Sequence, residues 1–147
     1  MTDARSYPDR PVLAVSAAIL RDGHVLIVRR ARPPAQSLYT LPGGAVEAGE
    51  TLIEALVREM REEIGMAIEP IALAGYREAI VRDDDKRVAR HYVILAFAAR
   101  WIAGEPVLGD EIAEARWLRP SEIASLNTTE GLAEIVAAAF ERLEQSG

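Results

Sequence analysis

The stretch from Gly43 to Met66 constrains this chain more than any other. It begins with Pro42-Gly43-Gly44, which predicts a loop because glycine permits positive φ and close approach of the backbone to a ligand. Apolar residues then recur at spacings of three and four, which predicts an amphipathic helix over Leu52–Ile64. Its apolar face consists of Ile53, Leu56, Val57, Met60 and Ile64.

Both ends of this predicted helix carry local signals. Thr51 and Glu54 have the spacing of a capping box, in which each side chain hydrogen-bonds the backbone of the other residue. Gly65 is a typical residue just beyond a helix end, because it adopts the left-handed conformation easily. The helix is therefore bounded as well as periodic.

A stripe of carboxylates, formed by Glu59, Glu62 and Glu63, runs beside the apolar face when the helix is turned by 100° per residue. Like charges four residues apart destabilise an isolated helix by about 0.2–0.5 kcal/mol, so charge pairing does not explain Glu59 and Glu63. Carboxylates beside backbone carbonyls suit a hard cation such as Mg²⁺ or Mn²⁺. A metal site and a solvated helix face both remain open at this point.

The same stretch resembles the Nudix box, the signature of the Nudix hydrolases, which include MutT-like enzymes. The pattern is Gly, five residues, Glu, seven residues, Arg-Glu, an aliphatic, any residue, Glu-Glu, any residue, Gly and an aliphatic. Every specified position is filled, by Gly44, Glu50, Arg58, Glu59, Met60, Glu62, Glu63, Gly65 and Met66. The resemblance implies an α+β fold, an α/β/α sandwich whose mixed sheet carries the box helix and a C-terminal helix on its faces. Long strands and two helices in the sequence favour the same class.

The resemblance also implies a chemistry. Family members hydrolyse a nucleoside diphosphate linked to another moiety X, using a divalent metal, usually Mg²⁺ with Mn²⁺ as the alternative. By position, the implied metal ligands are Gly43, through its carbonyl, with Glu59, Glu63 and the neighbouring Glu62, and the three carboxylates are also the implied catalytic residues. Glu50 and Arg58 resemble the pair that pins the loop to the helix, and Gly65 is structural.

An acidic loop, Gly104 to Glu114, offers a further acid. Nudix enzymes often bring a ligand or general base from this region, and Glu111 matches its position in MutT-type enzymes, with Glu114 as second choice. Most acids of such a loop are simply solvated. A general base must lie within about 2.6–3.2 Å of the attacking water or one water away.

Candidate substrate contacts lie before and within the box. Arg29 and Arg30 follow a predicted strand, where arginine offers a bidentate fork to phosphate or simply a solvated edge. Tyr39, like Tyr76 and Trp117, could stack on a base or belong to the core. Gly44 completes the predicted substrate-binding set.

The other elements follow from pattern and turn signals. A hairpin is predicted from Leu13–Leu20 and Val25–Arg30 around Asp22-Gly23. Further predictions are short strands at 38–41 and 116–118, one or two strands over 68–80 broken near Gly75, a solvated turn at 83–86, a central strand over 88–99, a helical turn at 120–124 and a last helix over 129–144.

Size and charge bound the remaining possibilities. The 147 residues predict one domain over 1–147, with a flexible arm at 1–10. A net charge of −6 argues against binding a nucleic-acid polymer, so an anionic substrate needs a local basic patch or bound cations. No apolar run reaches the roughly 18 residues that span a membrane, which favours a cytoplasmic protein. Family members are often homodimers, and only that supports a dimer here.

A less specific resemblance points to the small ADP-ribose pyrophosphatase-like branch. It rests on segments 29–34, 38–44, 91–93, 104–106 and 115–117. Many such enzymes carry a proline past the box and well beyond the position of Pro70, but the next proline here is Pro106, so that marker is missing. The predicted function is a metal-dependent pyrophosphohydrolase of ADP-ribose or a related nucleotide sugar, which yields a nucleoside monophosphate and a phosphorylated product. The alternatives are a nucleotide-pool sanitising (d)NTP pyrophosphatase and a non-catalytic nucleotide-binding regulatory module.

Overall fold

The computed structural model describes residues 5–33 and 35–146. Residues 1–4 of the predicted arm and Pro34 of the 29–34 segment lie outside this range. The strands are β1 (Val12–Arg21), β2 (His24–Arg30), β3 (Tyr39–Thr40), β4 (Gly43–Ala45), β5 (Ala67–Arg82), β6 (Val88–Ala103) and β7 (Ile112–Leu118). The helices are α1 (Leu52–Ile64), α2 (Pro120–Ile123) and α3 (Leu132–Gln145).

One mixed seven-stranded sheet carries the fold. Its path is β3-β2-β1-β6-β5, while β4 also pairs with β1 and β7 also pairs with β2. The β1–β2 hairpin turns at Asp22-Gly23, where both residues have positive φ, as the sequence predicted. β6 lies between parallel β1 and antiparallel β5, which confirms its central position.

Two apolar layers form because successive strand residues face opposite sides of a sheet. Val15 and Ile19 of β1 belong to the cluster that contains α1 residues such as Met60. Ala18, from the same strand, belongs to the cluster that contains Val136 of α3. The α/β/α arrangement implied by the Nudix resemblance is therefore confirmed.

Two element predictions need correction: Gly43–Ala45 is a strand rather than a loop, and β7 begins at Ile112 rather than near Arg116. Of the one or two strands predicted over 68–80, the structure has one, β5, which extends to Arg82. The irregularity predicted near Gly75 is a shift in pairing register between Leu73 and Gly75 that does not end the strand. A β-bulge accommodates an extra residue without breaking a strand.

The apolar face of α1 also differs in its first turn. Leu56, Met60 and Ile64 are buried as predicted, whereas Ile53 is 44% exposed. Helical periodicity gives the angle of a residue around the helix axis. It does not show whether another element of the fold packs against that turn of the helix.

The N-terminal segment contacts the β5–β6 hairpin. The Tyr7 backbone N–H donates to the Ala89 carbonyl at 2.8 Å, and its hydroxyl donates to Asp83 at 3.0 Å. The Arg87 guanidinium lies 4.7 Å from the Tyr7 ring centre. The prediction of a flexible arm did not include these contacts. Among the described residues, the helices are too short or too polar to cross a membrane.

Candidate active site

The helix that carries the carboxylates is held at both ends as predicted. The Glu54 N–H donates to Thr51 Oγ1 at 3.1 Å, and the Thr51 N–H donates to Glu54 Oε1 at 2.9 Å. At the other end Gly65 has φ of 68°, and its N–H donates to the Arg61 carbonyl at 3.1 Å. These bonds fix where the helix starts and stops, and hence where its acidic side chains lie.

Arg58 ties the preceding loop to the helix. It donates to Glu50 through Nε at 2.6 Å and Nη2 at 2.8 Å, and Nη2 also donates to the Ala45 carbonyl at 3.0 Å. These hydrogen bonds, together with one from the Glu47 backbone N–H, lower the pKa of Glu50 to about 2. The pair thus has the pinning geometry expected from the resemblance, and a bidentate fork fixes orientation as well as distance.

Arg58 also reaches the other acids of the box. Its Nη1 donates to Glu59 at 2.9 Å and to Glu62 at 3.2 Å. The Glu59 side chain is 18% exposed, whereas that of Glu62 is 64% exposed. The predicted stripe is therefore split by burial, because the Glu59 side chain is largely removed from water and that of Glu62 is not.

Glu63 is the most strongly perturbed carboxylate in this cluster. Burial, together with the charges of Glu59 and Glu111, raises its pKa to about 8 against the opposing effect of Arg30. At 100° per residue, Glu63 falls between Leu52 and Leu56, inside the apolar arc of the helix. Burial likewise raises the pKa of Glu59, although Arg58 opposes the shift. The helix thus holds two crowded acids that a cation would stabilise.

The two glycines beside these acids need their small size rather than unusual backbone angles. Neither Gly43 nor Gly44 has a positive φ, and both pair with β1 in the extended conformation. A Cβ on Gly44 would overlap the Glu59 carboxylate, and a Cβ on Gly43 would overlap the Val15 carbonyl. Close packing between β1, β4 and α1 explains the glycines that the sequence suggested were a loop.

The two loop acids occupy different surroundings. Glu111 lies just before β7, where its charge acts on Glu63. Glu114 lies within β7 and accepts hydrogen bonds from Arg29 Nε at 3.4 Å and the Tyr39 hydroxyl at 3.3 Å. Arg29 and Arg30 diverge because neighbouring strand residues face opposite ways. The predicted set therefore separates into Arg30 with Glu111 and Arg29 with Tyr39 and Glu114.

A cavity of about 480 Å³ lies beside the glycine strand, and Gly43, Gly44, Arg30 and Glu111 line it. Glu59 does not line the cavity but packs against Gly44, which does. The other predicted site residues outside its lining are Glu62, Glu63, Arg29, Tyr39 and Glu114. Its volume falls within the range of about 300–1,000 Å³ that is usual for ligand pockets. The cavity connects the glycine strand and the loop acid in a single space.

Sequence reasoning missed much of the basic lining. Besides Arg30, the cavity is lined by three arginines from distant segments, namely Arg5, Arg77 and Arg90. Together they form the local basic patch that an anionic substrate requires in an acidic protein. Arg77 had one readable signal, since it shares a predicted strand face with Gly75 and Ala79, where a charged residue among small ones suggests open space.

The donor chemistry of the site fits a divalent cation. Glu59, Glu63 and Glu111 supply hard oxygen atoms, and burial together with neighbouring carboxylates raises the pKa of the first two. Across residues 5–33 and 35–146, no three acidic, histidine or cysteine side chains converge closely enough to enclose an ion. The residues therefore match a cation in type, and a bound ion would draw these carboxylates together.

Comparison with known proteins decides the family. The family model described as NUDIX domain matches residues 10–139, which is most of the chain. The chain belongs to the Nudix hydrolase family. Nudix enzymes act on phosphoanhydride bonds and generally depend on a divalent metal.

Similarity to individual Nudix proteins leaves the substrate open. An ADP-ribose pyrophosphatase of Methanocaldococcus jannaschii is 33% identical over 116 residues, which cover 79% of this chain and 66% of that protein. A Mycobacterium tuberculosis relative, provisionally named as an 8-oxo-dGTP diphosphatase, is 35% identical over 112 residues, or 76% of this chain and 75% of that one. The crystal structure of a MutT Nudix hydrolase from Burkholderia pseudomallei has a TM-score of 0.75 and 26% identity, and the match covers 88% of this chain and 98% of that chain.

Proposed function

We propose that this Nudix protein is a pyrophosphohydrolase of ADP-ribose or a related nucleotide sugar. The observation that carries the proposal is an arginine-lined cavity whose wall includes Gly44, the residue that packs against the carboxylate of Glu59. Crowded carboxylates alone would suit many metal sites, and arginines alone would suit many anions. Together they suit a cation and a pyrophosphate in the same place.

Each residue then has a separate task. Glu59 and Glu63, with the Gly43 carbonyl, would hold Mg²⁺, or Mn²⁺ in its place, and Arg58 would orient Glu59. A bound cation supplies neutralisation of phosphate charge and a lowered pKa of coordinated water. Arg30 would bind a phosphate oxygen from the cavity side.

The reaction consumes one water. The water oxygen forms a bond to one phosphorus as the bond from that phosphorus to the bridging oxygen breaks. Glu111 is the proposed acceptor of the water proton because it lies near Glu63 and lines the cavity. The products are a nucleoside monophosphate and phosphorylated X.

The test is product release across a substrate panel, with Mg²⁺ and with EDTA. The panel contains ADP-ribose, NADH, nucleotide sugars, diadenosine polyphosphates, and normal and oxidised nucleoside triphosphates. We expect metal-dependent release of AMP from ADP-ribose to exceed turnover of the triphosphates. A preference for triphosphates, as the Mycobacterium relative suggests, would instead indicate nucleotide-pool sanitising. Tight nucleotide binding without turnover would indicate a regulatory module.

Two accompanying predictions concern the whole protein. A homodimer is proposed only because dimers are common among Nudix proteins, and light scattering of the purified chain measures its mass in solution. A cytoplasmic location stays a prediction, which fractionation of the producing cells tests.

A further inference from the structure

Two opposite charges line the cavity without pairing. Arg77 lies on β5 opposite Ile94 of β6, and Glu130 lies in the turn that leads into α3. Within the described parts of the chain, neither side chain makes a hydrogen bond or an ion pair, either with the other or with a third residue. The charge of Glu130 nevertheless acts on Arg77, so the two lie near each other with a gap between them.

This arrangement is unfavourable for the folded protein. Arg77 is partly buried, and burial lowers the pKa of its guanidinium against the opposing effect of Glu130. A charge removed from water destabilises a fold unless hydrogen bonds or an ion pair compensate it. Because no described side chain does so, a ligand in the cavity is the natural partner of Arg77.

Arg77 and Glu130 share their cavity with Arg30 and Glu111, the residues proposed to act on the pyrophosphate. The charge of Arg30 acts on both Glu63 and Arg77. A substrate whose pyrophosphate contacts Arg30 and Glu111 therefore has Arg77 and Glu130 available in the same space for its X group.

We propose that Arg77 and Glu130 form the subsite for a phosphate-linked sugar. The guanidinium donates to an oxygen of the phosphate that stays with X, and the carboxylate accepts hydrogen bonds from adjacent sugar hydroxyls. This inference rests on the proposed function and names the X group by its chemistry. A nucleoside triphosphate would instead place its terminal phosphate beside Glu130, where like charges repel.

The first test measures binding without turnover. Calorimetric titration of ADP-ribose in EDTA compares the wild type with Arg77→Gln, and we expect the variant to bind about 10- to 100-fold more weakly. Arg82→Gln is the matched control, because Arg82 lies on the same strand and donates to the Lys86 carbonyl at 3.1 Å outside the cavity. Circular dichroism confirms that both variants fold. Equal affinity of Arg77→Gln and the wild type would overturn the subsite.

The second test measures selectivity. In Mg²⁺, Glu130→Gln should lower the ratio of kcat/KM for ADP-ribose to kcat/KM for GTP by about 10-fold, because the repulsion of a terminal phosphate is removed. An unchanged ratio would overturn the role of Glu130.

Failure of the subsite and failure of the proposed function give different results. If the wild type hydrolyses ADP-ribose while Arg77→Gln binds it normally, the function stands and the subsite is wrong. If the wild type hydrolyses only triphosphates while Arg77→Gln weakens their binding, Arg77 binds phosphate but the sugar assignment is wrong together with the proposed function.

Discussion

Two pairs of charged residues lie close to Arg58, and the fold shifts the pKa values of their carboxylates in opposite directions. Glu50 and Arg58 are opposite charges in direct contact, and the pKa of Glu50 is lowered to about 2. Glu59 and Glu63, one turn apart on α1, are like charges, and burial raises the pKa of both. The first pair is complete within the protein, whereas in the second Arg58 and Arg30 offset only part of the effect of burying two like charges.

Within one short motif, the first pair therefore has a structural role and the second pair has the properties of a functional site. The Glu50–Arg58 pair lowers the free energy of the folded state and holds the β4 segment against the helix. Glu59 and Glu63 oppose folding when ionised, and carboxylates with pKa values raised in this way cluster at functional sites. Proteins often place such unfavourable groups at functional sites and stabilise them with surrounding structure.

The largest predicted effect comes from removing one charge of the crowded pair. Glu63→Gln should lower kcat by about 10²–10³-fold, because a proposed metal ligand is lost, while the folded state survives. Steady-state kinetics in Mg²⁺ and thermal unfolding measure the two effects. Glu141→Gln, at an exposed glutamate of α3 outside the cavity, is the matched control and should leave turnover unchanged. Near-normal metal-dependent turnover by Glu63→Gln would contradict the site assignment.

Adding a methyl group at the glycine strand should show how turnover depends on the position of the Glu59 carboxylate when its charge is kept. Gly44→Ala places a Cβ where the Glu59 carboxylate lies, and that flexible side chain can move aside. We expect turnover to fall by up to about 10²-fold from a displacement of about 1 Å, with little loss of stability. Gly43→Ala instead meets the Val15 carbonyl, so its unfolding temperature should fall more. The same unfolding temperature for both variants would refute this contrast.

Breaking the satisfied pair should mainly affect stability. Arg58→Gln removes the donors to Glu50, Glu59 and the Ala45 carbonyl, so the unfolding temperature should fall by roughly 5 °C. Arg58→Lys keeps the charge but loses the bidentate guanidinium, so its unfolding temperature should lie between those of the wild type and Arg58→Gln. Calorimetry in EDTA measures these differences. Wild-type stability in Arg58→Gln would show that the pair does not pin the loop.

The smallest expected effect is a dependence of stability on pH in metal-free protein. Between pH 4.5 and 8, folded Glu63 keeps a proton that the unfolded chain has released. Stability should therefore fall as pH rises, with a slope of at most about 1.4 kcal/mol per pH unit from this group. Denaturant titrations in EDTA measure the slope for the wild type and Glu63→Gln. If the variant has the same slope, Glu63 is not the titrating group.

Local sequence signals predicted α1 well because its limits depend on neighbouring residues. Thr51, Glu54 and Gly65 act within a few positions, and the helix begins and ends where they indicate. The β1–β2 hairpin was predictable for the same reason, through Asp22-Gly23. By contrast, Gly43 and Gly44 were wrongly predicted as a loop. Their small size is required by close contacts with Val15 and Glu59, which local sequence signals do not reveal.

The sequence by itself determined the family, the acidic helix and the location of its ends, because box spacing and capping are local properties. Only the tertiary structure separated Glu63 from exposed Glu62, placed Glu111 near the helix and Glu114 with Arg29, and brought Arg77 and Glu130 to one cavity. These distinctions depend on which strand faces meet and how much water they exclude. Burial and the distances between charges set pKa values and binding, and both arise from contacts between distant segments.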